Sequence, residues 1–226
     1  LGLQVKLAPH PGSEKKGQPV TCSVVLSHAP ILLNCAPRHV DAVLCPDPNV
    51  FRHTDPLDGL IEGGVLILQS TLSPEEFWNA LPAWARRTIL DRKIKVCSLD
   101  ALGIAGAEAA NRAGRRGMLS AAFIGAFFGV SSLLPRVGRT MDALLSSADA
   151  LRRNDAGFQG SGDRVRVMGR GFGEVKVVTP TSSEVNDERG DVPHMPVLIE
   201  ALDAMPGPGH EGRFWEQVCS LERLGL

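Results

Sequence analysis

The loop from Pro11 to Pro19 holds the densest set of residues suited to binding. Lys15 and Lys16 stand directly before Gly17, with Ser13 and Glu14 ahead of them. Backbone N–H groups near a glycine, together with two ammonium groups, can hold an anionic group. A solvated charged turn accounts for the same residues, and both readings stay open at this point. Other candidates carry less. Cys35 and Cys45 lie ten apart with His39 between them, whereas zinc and iron–sulfur sites use tighter pairs such as C-x-x-C. His10, His28, His39 and His53 occur without an H-E-x-x-H pattern, and no G-x-S-x-G presents a serine nucleophile. Asp41, Asp47, Asp55 and Asp58 surround turns, where Asp beside Pro has a local role. The stretch "GRGFGEV" (169–175) has the glycines of a phosphate loop. That fingerprint needs a strand before the glycines and a helix after them. Here a strand-like "VKVV" follows, so a glycine-rich hairpin over 164–178 is expected. No catalytic set is self-contained. This points to a binding or structural role, or to a subunit that works only inside a complex.

The elements that must position these residues alternate. Strands are expected at 3–8, 20–28, 40–45, 63–70 and 94–100, most of them continuous apolar runs. Such runs suit a mostly parallel sheet covered on both faces. Ser73, then Pro74 at the first helical position, then Glu75 and Glu76, mark a helix start, and Pro82 splits that helix or ends it. Residues 101–114 are helical, with Gly114 as the expected terminator. The fold class is therefore α/β, a mostly parallel Rossmann-like sheet covered by helices. Residues 1–155 form the α/β domain. Residues 156–226 are read as a linker and an extension, with two short helices at its end, that packs on the main domain or on a partner.

The chain has 226 residues, 43% hydrophobic and 22% charged, with a net charge near −1. These values fit a globular protein and argue against a general nucleic-acid binder. The first residues lack the basic and apolar regions of a signal peptide, and the start at Leu1, inside an apolar pattern, suggests a trimmed amino terminus. Cys22, Cys35, Cys45, Cys97 and Cys219 are an odd count at irregular spacing. They read as reduced, mostly buried thiols of a cytoplasmic protein. The uncharged run "MLSAAFIGAFFGVSSLL" (118–134) raises the question of a membrane span. Seventeen residues at ~1.5 Å rise reach only about 26 Å, short of the ~30 Å of hydrocarbon. Its small residues include Ala122, Gly125 and Gly129, which leave one face nearly bare. The expected element is a buried helix whose bare face a neighbouring helix or subunit approaches closely. Gly125→Leu is then expected to disrupt assembly.

Four stretches, in this order, resemble the gamma subunit or gamma domain of the 2-oxoacid:ferredoxin oxidoreductases. They are "GSEKKGQPVTCSVVLSHAPI" (12–31), "VDAVLCPDPNVF" (40–51), "DGLIEGGVLILQST" (58–71) and "KVCSLDALGIAGAEAANRAGRRGMLSAAFIGAF" (95–127). The family's opening strand, glycine turn and helix have no counterpart here, and neither does the tail after 155. The resemblance implies a cytoplasmic hetero-oligomer with alpha- and beta-type subunits. It would convert a 2-oxoacid such as pyruvate or 2-oxoglutarate and coenzyme A into acyl-CoA and CO2, with ferredoxin as acceptor. Thiamine diphosphate and [4Fe–4S] clusters would sit on the other subunits, with no cofactor or metal on this chain. The gamma part would scaffold the complex. Its loop Ser13, Glu14, Lys15, Lys16 and Gly17 would face substrate or coenzyme A, and Ala122, Gly125 and Gly129 would mark an interface helix. Two rival readings are a stand-alone Rossmann-like nucleotide-binding enzyme and a membrane-associated protein.

Overall fold

The computed structural model describes residues 2–10, 21–32, 35, 37–52, 54–108, 112–154 and 161–181. They fall into two compact units. One holds the described residues up to Arg38 with Arg52 and Thr54; the other holds His39–Phe51 and those from Asp55 onward.

The first unit is built on a hairpin. β1 (Gln4–His10) pairs antiparallel with β2 (Thr21–Ser27), from Gln4 opposite Ser27 to His10 opposite Thr21. This corrects the expectation that both strands belong to the parallel sheet. The reason is chain length. A parallel crossover needs about a dozen residues or more, usually a helix, and only residues 11–20 join these strands.

The second unit carries the sheet. β3 (Val40–Cys45), β4 (Leu60–Gln69), β5 (Lys95–Leu99) and β6 (Lys176–Val178) lie side by side in that order. The first three are mutually parallel, and β6 runs antiparallel to β5. The mostly parallel α/β class expected from the sequence is borne out. β4 begins three residues before its glycine pair, and there the register with β3 shifts. A side chain at Gly64 would meet Leu60 Cδ1 at 2.7 Å and Ile61 O at 2.9 Å, so the irregular strand needs glycine.

α1 (Pro74–Ala80) and α2 (Ala83–Asp91) follow β4. Ser73 caps α1 in a full capping box with Glu76. Pro82 separates the two helices, as its missing N–H and fixed φ require. Phe77, Trp78, Ala85 and Ile89 bury against Leu66, Leu68, Val96 and Val178 in one core. After β5 come α3 (Ala101–Glu108), α4 (Arg112–Val130), α5 (Leu133–Arg136), α6 (Met141–Asn154) and α7 (Ser161–Glu174). Gly114 does not terminate a helix but lies inside α4. Among the described residues no helix is long and apolar enough to cross a membrane.

The glycine-rich stretch is the largest correction. Residues 161–174 are helix rather than half of a hairpin, and only Lys176–Val178 is strand. Glycine lowers helix propensity by about 1 kcal/mol each, but tertiary packing overrides that here. A side chain at Gly171 would strike the Ala122 backbone, with Ala122 C at 2.8 Å. One at Gly125 would strike Met168 O and sit 2.8 Å from Met168 C, and one at Gly129 would sit 2.8 Å from Phe172 O. α4 and α7 thus pack backbone against backbone, with glycine on both sides of the contact.

Candidate functional site

Parallel strands bring their carboxyl ends to one edge, and ligands of open α/β sheets bind outside that edge. Here the edge is formed by Cys45–Asp47 after β3, Gln69–Ser73 after β4 and Leu99–Gly103 after β5. Each loop is fixed by a local acceptor. Asp47 Oδ1 accepts from Asn49 N at 2.9 Å, and Ser70 Oγ accepts from Leu72 N at 3.1 Å. Asp100 Oδ1 accepts from Gly103 N at 2.9 Å at the start of α3.

Gln69 joins two of these loops. It is 3% exposed, so its amide must be satisfied inside the protein. Its Nε2 donates to Asp100 Oδ1 at 3.2 Å, and its Oε1 accepts from Leu102 N at 3.2 Å. These two bonds tie the end of β4 to the loop after β5. Two apolar side chains on this edge, Leu72 and Leu102, are exposed. The sequence pattern alone did not single out Gln69. Its signal is a polar residue closing a buried apolar strand, followed 31 positions later by an aspartate that opens a helix.

The rest of the unit is arranged for rigidity rather than chemistry. Glu108 on α3 bridges two residues of α7, with Arg166 Nε at 3.2 Å and Arg170 Nη1 at 3.3 Å. Burial pushes the thiols of Cys45 and Cys97 up to about 11, because a thiolate there loses its hydration. Both are poor nucleophiles and poor ligands at neutral pH. Among the described residues, no group of three or more His, Cys, Asp or Glu is placed to hold a metal ion.

The residues singled out from the sequence are split in their placement. Ser13, Glu14, Lys15, Lys16 and Gly17 lie outside the described residues, as do the two short helices expected near the end of the chain. Ala122, Gly125 and Gly129 lie on α4 and face α7 of the same chain. Asp47 and Asp55 each accept a backbone N–H two residues ahead, the turn role expected of them.

The model of the pyruvate ferredoxin/flavodoxin oxidoreductase family matches residues 1–154. The chain is 32% identical over 95 residues to the pyruvate:ferredoxin oxidoreductase of Moorella thermoacetica, covering 42% of this chain and 8% of that protein. It is 30% identical over 104 residues to the pyruvate/ketoisovalerate oxidoreductases common subunit gamma of Thermococcus kodakarensis, covering 46% and 52% respectively. The chain thus spans about half the length of that subunit and under a tenth of the longer enzyme. Its fold is similar to the crystal structure of pyruvate oxidoreductase subunit PORC from Thermotoga maritima. The TM-score is 0.53 at 18% identity, over 79% of this chain and 83% of that one. The resemblance read from four stretches of sequence is borne out: this chain belongs to the pyruvate ferredoxin/flavodoxin oxidoreductase family.

Proposed function

We propose that this chain is the gamma-type part of a cytoplasmic 2-oxoacid oxidoreductase that depends on thiamine diphosphate and [4Fe–4S] clusters. The reaction takes a 2-oxoacid and coenzyme A to acyl-CoA and CO2, and the two electrons released reduce two molecules of ferredoxin. The observation that carries this reading is the family match over residues 1–154. The similarity to a common gamma subunit supports the specific role. In this reading the clusters and thiamine diphosphate sit on alpha- and beta-type partners, as the family resemblance implies.

The work of this chain is then to shape and to exclude. The carboxyl edge, stiffened by Gln69 and Asp100, is a firm wall whose exposed Leu72 and Leu102 suit a dry contact. Such a wall orients bound reactants and keeps water from the acyl group, effects that need rigidity more than a reactive side chain. The loop Ser13–Gly17, with Lys15 and Lys16, would meet the phosphates of coenzyme A. The test is affinity purification of the chain from the organism that encodes it, followed by native mass spectrometry and assay. The expected result is a brown complex with bound thiamine diphosphate that reduces ferredoxin only when 2-oxoacid and coenzyme A are both present. A colourless assembly without thiamine would refute the proposal.

A further inference from the structure

The ladder between β4 and β5 ends at the pair Gln69 and Leu99, followed by a bond from Ser70 N to Leu99 O at 3.0 Å. Beyond that point the two segments part, one toward α1 and the other into α3. The Gln69 side chain carries the tie past the end of the ladder. A leucine would suit this position as well as Leu66 and Leu68 suit theirs, since all three sites are buried. A buried amide is costly unless both its ends are paired. Here each end finds its partner at the start of α3. Leu102 N donates to Gln69 Oε1 at 3.2 Å, Gly103 N to Asp100 Oδ1 at 2.9 Å, and Ile104 N to Asp100 O at 3.0 Å. Asp100 is also packed over Gly103. A side chain at Gly103 would strike Asp100 Oδ2 and lie 2.8 Å from Asp100 Cγ.

The N–H groups that open a helix attract anions when they are left unpaired. In α3 they are taken by Gln69 and Asp100, and the Asp100 carboxylate repels phosphate. This part of the carboxyl edge is therefore closed to a phosphate group and suited to a neutral one. What Gln69 adds is a fixed relation between residues 70–73 and the first turn of α3. On the reading of this chain as the gamma-type part of a coenzyme A-dependent oxidoreductase, we propose that Gln69 is a positioning residue for coenzyme A. Its amide sets the spacing of the two segments that flank the neutral, thiol-bearing arm of that reactant, not its phosphates. Gln69 acts through those segments and touches no reactant. Orientation is sensitive to such spacing, because a misplacement of about 1 Å can cost roughly a hundredfold in rate.

Gln69→Leu nearly keeps the volume and removes both side-chain bonds. The test is steady-state kinetics of the wild-type and variant complexes, purified from the organism that encodes the chain and normalised to bound thiamine diphosphate. The expected result is a split. kcat/KM for coenzyme A falls roughly tenfold, while kcat/KM for the 2-oxoacid stays within about twofold of wild type. A merely structural role would lower both ratios alike, and that result would overturn the proposal. So would wild-type kinetics with both reactants. Gln69→Asn is one methylene shorter and cannot span both bonds, so it keeps the test open if the leucine variant does not assemble. It should lower the coenzyme A ratio at least about threefold and spare the 2-oxoacid ratio. Failure of both variants to assemble would make the residue structural and overturn its positioning role. An active wild-type complex whose variants show no split sinks the role of Gln69 alone. A wild-type complex without thiamine, or one that reduces ferredoxin without coenzyme A, sinks the oxidoreductase reading itself.

Discussion

Substituting Gly125 by alanine adds one methyl group, and its cost can be worked from the contact with α7. The new Cβ would strike Met168 O and lie 2.8 Å from Met168 C and 3.0 Å from Phe172 N. These are backbone atoms of a helix and cannot swing aside like the end of a side chain. α7 must retreat, and a gap of about 0.5–1 Å forfeits a quarter to a half of each dispersion contact along the seam. Overpacking of this kind costs roughly 1–3 kcal/mol. Against it stands the helix propensity of alanine, which favours the substitution by about 1 kcal/mol. Gly173→Ala is the matched control. Gly173 is also helical, but nothing lies within 4 Å of its Cβ direction, so only the propensity gain remains. The two variants should differ by about 1–3 kcal/mol in opposite directions from wild type or nearly so. For a chain of this size that is a separation of about 2–4 °C in Tm per kcal/mol. Thermal melts by circular dichroism on the isolated chain read it directly. If Gly125→Ala and Gly173→Ala were stabilised alike, the backbone contact between α4 and α7 would be refuted. The same geometry revises the effect of Gly125→Leu: the first loss is the fold of the chain itself, and assembly fails as a consequence.

Two further outcomes follow from buried groups. Trp78, 1% exposed, donates Nε1–H to Thr181 O at 3.1 Å. Trp78→Phe should lower stability by about 1–3 kcal/mol through the lost bond and the smaller ring, and the β6 amides should exchange faster. Unchanged β6 exchange would mean that the indole does not anchor this segment. Cys45 and Cys97, with pKa values pushed up to about 11 by burial, should resist alkylation at pH 8 while the exposed Cys35 reacts. Their contribution to stability is fully present below the ordinary thiol value and is lost as pH rises through about 11. Alkylation of Cys45 or Cys97 as fast as Cys35 in the native state would contradict their burial.

Much of the second unit was legible because its signals are local. Ser73-Pro74-Glu75-Glu76 contains its own capping box, Pro82 interrupts the helix where it falls, and the short apolar runs at 40–45, 63–70 and 94–100 fit strands bounded by turn residues. The family was legible for the same reason, since its four matching stretches are short local runs, three of them around β3, β4 and β5 with the helices after β5, and one around β2 of the first unit. Three features required tertiary structure. The pairing of β1 with β2 depends on what a ten-residue connection can span. The helix at 161–174 forms against its own glycine content, because α4 offers a bare face that a glycine-bearing helix can approach, and the contacting positions, such as Gly125 and Met168, lie more than 40 residues apart in sequence. The Gln69–Asp100 bond joins the ends of two neighbouring parallel strands, whose adjacency no pattern within either strand encodes. Short-range sequence thus determined most of the helices and strands from β3 to α4, while long-range backbone packing decided the state of residues 161–174 and what each bare face and strand end would meet.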